Sequence, residues 1–270
     1  MTTYDVLIVG GGLVGSAIAF GLARRGLDVL ILDEGDLALR ASRGNFGLVW
    51  VQDKGLDSPA YARWTRQASN LWPDFAAALS EATGIDLHYS RPGGFRFCLS
   101  EAEFTQRRAQ MSKLAFDSGG EFTFEMLDRS RLLDRLPNIG ESVFGASFSP
   151  LDGHANPLRL LRSLHAAVQR AGGRYAPGQV VQSIKYDRPG FTVATASEIF
   201  SAGRVVLAAG HGTRTLAPMV DLNAPLSPER GQILVTAKVE PFLSQPTVML
   251  RQTGEGSVLI GSDEDLSALW

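Results

Sequence analysis

Glycines at positions 10, 12 and 15 stand at G-x-G-x-x-G spacing, with Leu13 and Val14 between the last two and an acidic pair, Asp33-Glu34, further along. These glycines act through the side chains they lack. Gly10 permits a tight turn, Gly12 lets a pyrophosphate approach the backbone, and Gly15 lets a helix pack closely on its strand. The N–H groups at a helix start, with the helix dipole behind them, favour a diphosphate. Asp33 is placed to accept hydrogen bonds from a ribose, with Glu34 beside it. Two acids with no following arginine before Arg40 disfavour a ribose 2′-phosphate, and hence NADP.

The surrounding elements must hold this chemistry in place. Val6-Leu7-Ile8-Val9 is a continuous apolar run, as expected of a strand buried on both faces of a parallel sheet. A helical pattern follows the glycines, with Val14, Ala17, Ile18, Gly21 and Leu22 expected on its apolar face. Arg24 and Arg25 suit its negative C-terminal end and Gly26 can cap it. A second apolar run, Val29–Leu32, delivers Asp33. The glycine spacing alone is a weak signal. Strand, glycines, helix, strand and terminal acid in that order identify a dinucleotide-binding unit.

The chain has 270 residues, 44% of them hydrophobic and 20% charged, with a formal net charge of -2. That balance describes a globular protein and argues against nucleic acid or an anionic membrane as its main partner. One cysteine, Cys98 in the apolar run Phe95–Leu99, excludes an internal disulfide framework and is expected in the core. It fits a reducing compartment. No run reaches the roughly 18 apolar residues of a transmembrane helix. The start, Met1-Thr2-Thr3-Tyr4, lacks a basic signal-peptide region, so the cytoplasm is the expected location. No Ser-His-Asp set, metal cluster or carboxylate pair stands out, and no metal is expected.

The same unit serves more than one dinucleotide, and three further stretches carry a resemblance that bears on which one. Ala41–Gly47 is a small, glycine-containing loop in which Ser42, Asn45 and Gly47 are suited to lie along a cofactor. Asp152–Gly173 contains Asn156-Pro157, a helix start, and an apolar stripe of Leu161, Leu164 and Val168. Strand material at Tyr175, Val180-Val181 and Ile184, a turn at 187–190 and a strand from Phe191 come next. Arg204–His211 is a buried strand ending in the small residues Ala208, Ala209 and Gly210; His211 has no partner visible in the sequence and reads as loop. Together these resemble the FAD-dependent amine and D-amino-acid oxidoreductases, which include D-amino-acid oxidase, glycine oxidase and sarcosine oxidase. The resemblance implies FAD, with the Ser42 loop beside the diphosphate and ring, the Val180 backbone against adenine, and Ala209 and Gly210 close to the cofactor.

The implied fold is α/β: a glutathione-reductase-like FAD-binding domain, Rossmann-type with a β-meander, plus an interleaved mixed-sheet α+β substrate domain. Residues 1–85 and 146–226 are assigned to the first and 86–145 and 227–270 to the second. Ser58–Thr83 reads as a helix with an apolar core stripe of Trp64, Ala68, Leu71, Phe75 and Leu79, kinked or broken at Pro73. Helices are also expected at 101–117 and 128–136. Glu229–Thr236 reads as a strand entered by a bend, and Thr253-Gly254-Glu255-Gly256 as the turn of a hairpin.

The chemistry implied by the resemblance is hydride transfer from the α-carbon of an amine to flavin N5, giving an imine that water hydrolyses. An amino-acid substrate calls for an arginine fork on its carboxylate. Arg251 is the first candidate and Arg230 the second. The segments 43–52 and Asp152-Gly153-His154 are most similar, within the family, to the β-subunits of opine oxidases and D-hydroxyproline dehydrogenases. This implies electron-accepting partner subunits beside the small amino-acid or amine substrate. His154 is expected either to face substrate or to cap the following helix.

Relatives of this kind continue beyond the point matching Trp270 and close over the flavin ring. A truncated chain with weakened FAD binding and reduced activity is therefore an expectation. A cofactor-binding fragment without activity is one alternative. A flavin hydroxylase is another, although the Gly-Asp segment it would carry is not visible.

Overall fold

The computed structural model describes residues 3–35 and 41–262. Arg40 and the Asp263-Glu264-Asp265 and Trp270 positions lie outside the described residues. In chain order the elements begin β1 (Thr3–Val9), α1 (Leu13–Ala23), β2 (Val29–Leu32), β3 (Leu48–Val49), α2 (Pro59–Thr83) and β4 (Gly94–Cys98). Next come α3 (Glu101–Asp117), β5 (Glu125–Asp128), α4 (Arg129–Arg135), β6 (Gly145–Ser149), β7 (Gly153–His154) and α5 (Pro157–Arg170). Then follow β8 (Arg174–Ala176), β9 (Val181–Asp187), β10 (Gly190–Thr195), β11 (Ile199–Leu207) and α6 (Thr213–Leu216). Last are β12 (Gln232–Lys238), β13 (Leu250–Gln252) and β14 (Ser257–Ser262).

Two compact units emerge. The first comprises residues 1–45, 78–87 and 157–230, and the second 46–77, 88–156 and 231–270. The sequence-based boundaries place 46–77 and 146–156 with the first; the contacts place them with the second. The reason lies in the polar and backbone bonds of those segments, such as Val51 to Asp152, which no local pattern announces.

The first unit is built on a six-stranded sheet in the order β8-β2-β1-β11-β10-β9. β8, β2, β1 and β11 run parallel, and β9, β10 and β11 form an antiparallel meander. The apolar runs of β1 and β2 are buried residue after residue, as a sheet covered on both faces requires. Leu7, Val9, Leu30 and Leu32 join Ile184, Val193 and Phe200 in one core. The end of β11 is less enclosed than its apolar run suggests: Val205–Leu207 are half-buried, with Val205 and Leu207 packed against this core. Val6, Ile8, Val29 and Ile31 point to the opposite face, because side chains alternate along a strand. Helix α1 packs against α5 and buries Gly15, Ser16, Ala19, Phe20 and Ala23. That corrects the expected face, since Val14 is exposed. Nearly every residue of α1 is apolar, so hydrophobicity alone cannot orient it. The helix ends as expected: Gly26 has φ of +79° and its N–H bonds Ala23 O.

The second unit contains antiparallel sheets β4-β6-β5 and β12-β14-β13, and the short pair β3-β7. Phe95, Leu127, Leu132, Ala146 and Phe148 form one core; Val51, Ala62, Met111, Leu114 and Phe122 form another. Cys98 is buried, as expected, and burial raises its thiol pKa. One expectation about α2 is narrowed and one is corrected. Of the kink or break expected at Pro73, the break does not occur, since one helix runs from Pro59 to Thr83 and accommodates the missing N–H. Leu79 is buried as expected, but Trp64, Ala68 and Leu71 are exposed, and Ala62, Arg66, Ser69 and Ala76 are buried instead. Ser69 goes inward with its hydroxyl on the Leu151 carbonyl, while the buried Arg66 extends a terminal nitrogen to the exposed Glu121. The hairpin at 253–256 forms between β13 and β14 as expected.

Candidate functional site

In the first unit, β1 ends in a turn at Gly10 with φ of +108°, and α1 starts after Gly12. A Cβ on Gly10 would strike the Ala208 carbonyl, and one on Gly15 would strike the Gly10 carbonyl. The loop is therefore wedged between its own helix and the end of β11, where Ala208 N bonds Val9 O. A Cβ on Gly12 would meet only the Ser42 side chain, at 2.8 Å from Oγ. Ser42 Oγ accepts from Leu13 N at 3.0 Å, which leaves its hydroxyl proton available for donation. Ser16 N donates to Gly12 O, so the amides before it point out of the helix end. A cradle of backbone amides where only glycine fits is what a diphosphate requires, and these residues fit one.

Asp33 is buried, and its carboxylate is engaged by backbone. Gly11 N donates to Oδ2 at 2.7 Å and Gly35 N to Oδ1 at 3.1 Å. The residue read as a ribose acceptor thus also anchors the glycine turn. Glu34 is exposed beside it. Gln179 N bonds Asp33 O at 2.8 Å, which brings the half-exposed Val180 to the end of β2. Ala209 and Gly210 follow β11 alongside Gly10, and His211 is exposed in a short 3₁₀ turn. The first unit thus gathers Gly10, Gly12, Leu13, Val14, Gly15, Asp33, Glu34, Ser42, Val180, Ala209 and Gly210 at the C-terminal ends of β1, β2 and β11. Asn45 is in the same unit, whereas Gly47 belongs to the second.

Sequence reasoning missed two supports of this loop. His165 Nε2 lies 2.7 Å from Gly11 O, and its ring stacks on Tyr175 at 4.4 Å between centroids. A Cβ on Gly11 would meet Tyr175 at 2.5 Å. The only sequence signal was that α5 and β8 belong to the same crossover.

In the second unit, Arg251 is 2% exposed, so it is not a solvated strand end. Its Nε donates to Phe46 O at 2.8 Å. Burial lowers its pKa to about 10, still fully charged at neutral pH, with Glu255 acting in the opposite direction. His154 does not cap a helix: it lies in β7, paired with Leu48 on one side and Ser90 on the other. Its Nδ1 is buried without a hydrogen bond. Burial, then the charge of Arg251, then His88, pull its pKa down to about 4. His88 Nδ1 stands 3.5 Å from Glu255 Oε1. Arg230, the other arginine candidate, is exposed and falls in the first unit.

A buried polar network, also missed from sequence, underlies β3 and β7. Asp152 is fully buried; Val51 N donates to Oδ1 at 2.6 Å and Gln52 Nε2 to Oδ2 at 2.7 Å. Burial dominates those bonds and pushes its pKa up to about 7. Gln52 Oε1 in turn accepts from Ser147 and Arg107, and Arg107 Nη1 reaches Asp53 at 2.7 Å.

Compared with known proteins, the chain matches the family model described as FAD dependent oxidoreductase over residues 5–268, and it belongs to that family. It is an FAD-dependent oxidoreductase. An opine oxidase subunit of Agrobacterium tumefaciens (strain Ach5) is 45% identical over 266 residues, covering 98% of this chain and 72% of that protein. Glycine oxidase of Geobacillus kaustophilus (strain HTA426) is 29% identical over 249 residues, covering 92% of this chain and 65% of that protein. The crystal structure of glycine oxidase from Geobacillus kaustophilus superposes with a TM-score of 0.89 at 26% identity, over 97% of this chain and 72% of that one. The expected α/β flavoprotein fold and the choice of FAD agree with these findings. A match running through both units does not favour an inactive fragment or a hydroxylase. Among the described residues, no helix is long and apolar enough to cross a membrane.

Proposed function

We propose that this chain oxidises the C–N bond of a carboxylate-bearing amine to an imine, the substrate being an amino acid or a secondary amine of the opine or hydroxyproline kind. The observation that carries the reading is Arg251, a buried guanidinium held among the described residues through Nε, with its terminal nitrogens left for a carboxylate fork. The names of the relatives, opine oxidase and glycine oxidase, support the substrate class.

Bound FAD supplies the acceptor for the hydride that leaves the substrate's α-carbon. The chain's own residues hold and orient. The amides from Gly10 to Gly15 and the Ser42 hydroxyl would receive the diphosphate, Asp33 and Glu34 would serve the ribose, and Val180 would stand toward adenine. Asn45, Ala209 and Gly210 would lie along the rest of the cofactor. Arg251 fixes the substrate carboxylate and so aims the α-carbon. The word "subunit" in the opine oxidase relative's name supports assembly with further subunits that accept electrons.

The test is anaerobic addition of opine-like, proline-like and D-amino-acid substrates to purified flavoprotein. One of these classes is expected to bleach the visible flavin absorbance. Bleaching by NADPH alone, with none by the amines, would overturn the proposal.

A further inference from the structure

Four segments of the second unit converge on Arg251 and His154. Arg251 Nε bonds Phe46 O, and the next residue, Gly47, accepts Ala155 N at 2.8 Å. Leu48 pairs with His154, and Ser90 and His154 exchange both backbone bonds at 2.9 Å. His88, two residues before Ser90, meets Glu255 of the β13–β14 turn, and a Cβ on Gly254 would come within 2.5 Å of the His88 ring. The backbone thus fixes His154 from both sides. Its Nδ1, by contrast, is buried with no hydrogen bond among the described residues, although the residue as a whole is only partly buried. An imidazole carries a donor or acceptor at each nitrogen, and burying one unused is costly unless a ligand uses it.

We propose that His154 is a second contact for an organic carboxylate beside Arg251, and that it takes up a proton from solvent when the acid binds. The inference rests on the reading of Arg251 given above. Arg251 already places one buried positive charge here, so a further charge on His154 is disfavoured. The groups bearing on the ring are Arg251 from β13 and His88 from the segment before β4, the latter paired with Glu255. A carboxylate offsets the charge of Arg251 and gives the imidazole N–H an acceptor, so both effects reverse on binding. A group whose pKa rises on binding favours the complex at low pH. Affinity is then lost as pH rises from the value of about 4 in the free protein through the raised value in the complex.

The test is calorimetric titration of the FAD-loaded protein with acetate, with acetamide as the neutral control, between pH 5 and 8. Buffers of differing ionisation enthalpy report the protons taken up. Acetate is expected to bind with uptake of a substantial fraction of a proton near pH 5–6. Its affinity should fall by up to about tenfold per pH unit across that same range and level off above the raised value, where uptake ceases. His154→Gln, whose β7 pairing is backbone-based, should keep its flavin spectrum, lose the uptake and bind about tenfold more weakly at low pH. His88→Gln should retain the uptake. Zero uptake in the parent, or full uptake and affinity in His154→Gln, overturns the role of His154. Unchanged acetate binding in Arg251→Ala instead overturns the carboxylate reading of Arg251, so the two failures are distinguishable.

Discussion

Asp152 gives the sharpest quantitative expectation. Its carboxyl titrates near 7 in the folded protein against an ordinary value of 3.8. At about 1.4 kcal/mol per unit, that rise costs the folded state about 4 kcal/mol once the group is ionised in both states. The sign follows from proton counts. Between pH 4 and 7 the folded chain holds a proton that the unfolded chain has released, so stability falls as pH rises across that window. Below it both states are protonated and the cost is absent; above it both are ionised and the cost is complete. Asp152→Asn removes the titration while keeping one acceptor for Val51 N or Gln52 Nε2. Urea unfolding of the FAD-loaded parent and variant, followed by tryptophan fluorescence at half-unit steps from pH 4 to 8, isolates the site. The stability of the parent relative to the variant should drop by about 4 kcal/mol across the series. A difference that stays within about 1 kcal/mol throughout would refute the buried-carboxylate argument.

Three further outcomes are expected. Gly15→Ala, whose methyl would meet the Gly10 carbonyl, and Gly12→Val should each lower the flavin-to-protein ratio of purified material to near zero; full retention would contradict the cradle. Arg251→Ala should raise KM about 10–100-fold for a carboxylate substrate with bound flavin unchanged, and parent-like kinetics would sink the carboxylate assignment. Arg107→Met removes one partner each from Asp53, which keeps Arg96 and Trp50 Nε1, and from Gln52 Oε1, which keeps Ser147, and should destabilise the protein by about 1–3 kcal/mol in denaturant melts.

The dinucleotide unit was legible because it is local. Its strands, turn glycines and acid are consecutive, and each residue type answers one backbone requirement. What escaped sequence reading depends on partners far along the chain. His165 and Tyr175 reach Gly11 only because β8 pairs with β2. Asp152 and Gln52 are ordinary loop residues until β3 and β7 align. The faces of α1 and α2 were misjudged for opposite reasons. The first is apolar all round, and the second turns Arg66 and Ser69 inward while leaving Trp64 outside. Arg251 was picked out for its chemistry, but its burial depends on the Phe46 carbonyl from a distant segment.

The parallel pairing of β1 with β11 has a consequence for the order in which the molecule is made. Thr3–Val9 leave the ribosome long before their sheet neighbours on one side, Ser201–Leu207, which come almost at the end of the first unit. A nascent chain carrying the whole glycine motif still lacks the Ala208 wall and the Tyr175 stack that shape it. FAD capture therefore waits until synthesis has passed β11, and the long loop closures involved make that step slow relative to helix formation. Until then, β1 is an apolar strand with an unpaired edge, which makes the growing chain a natural client for chaperones.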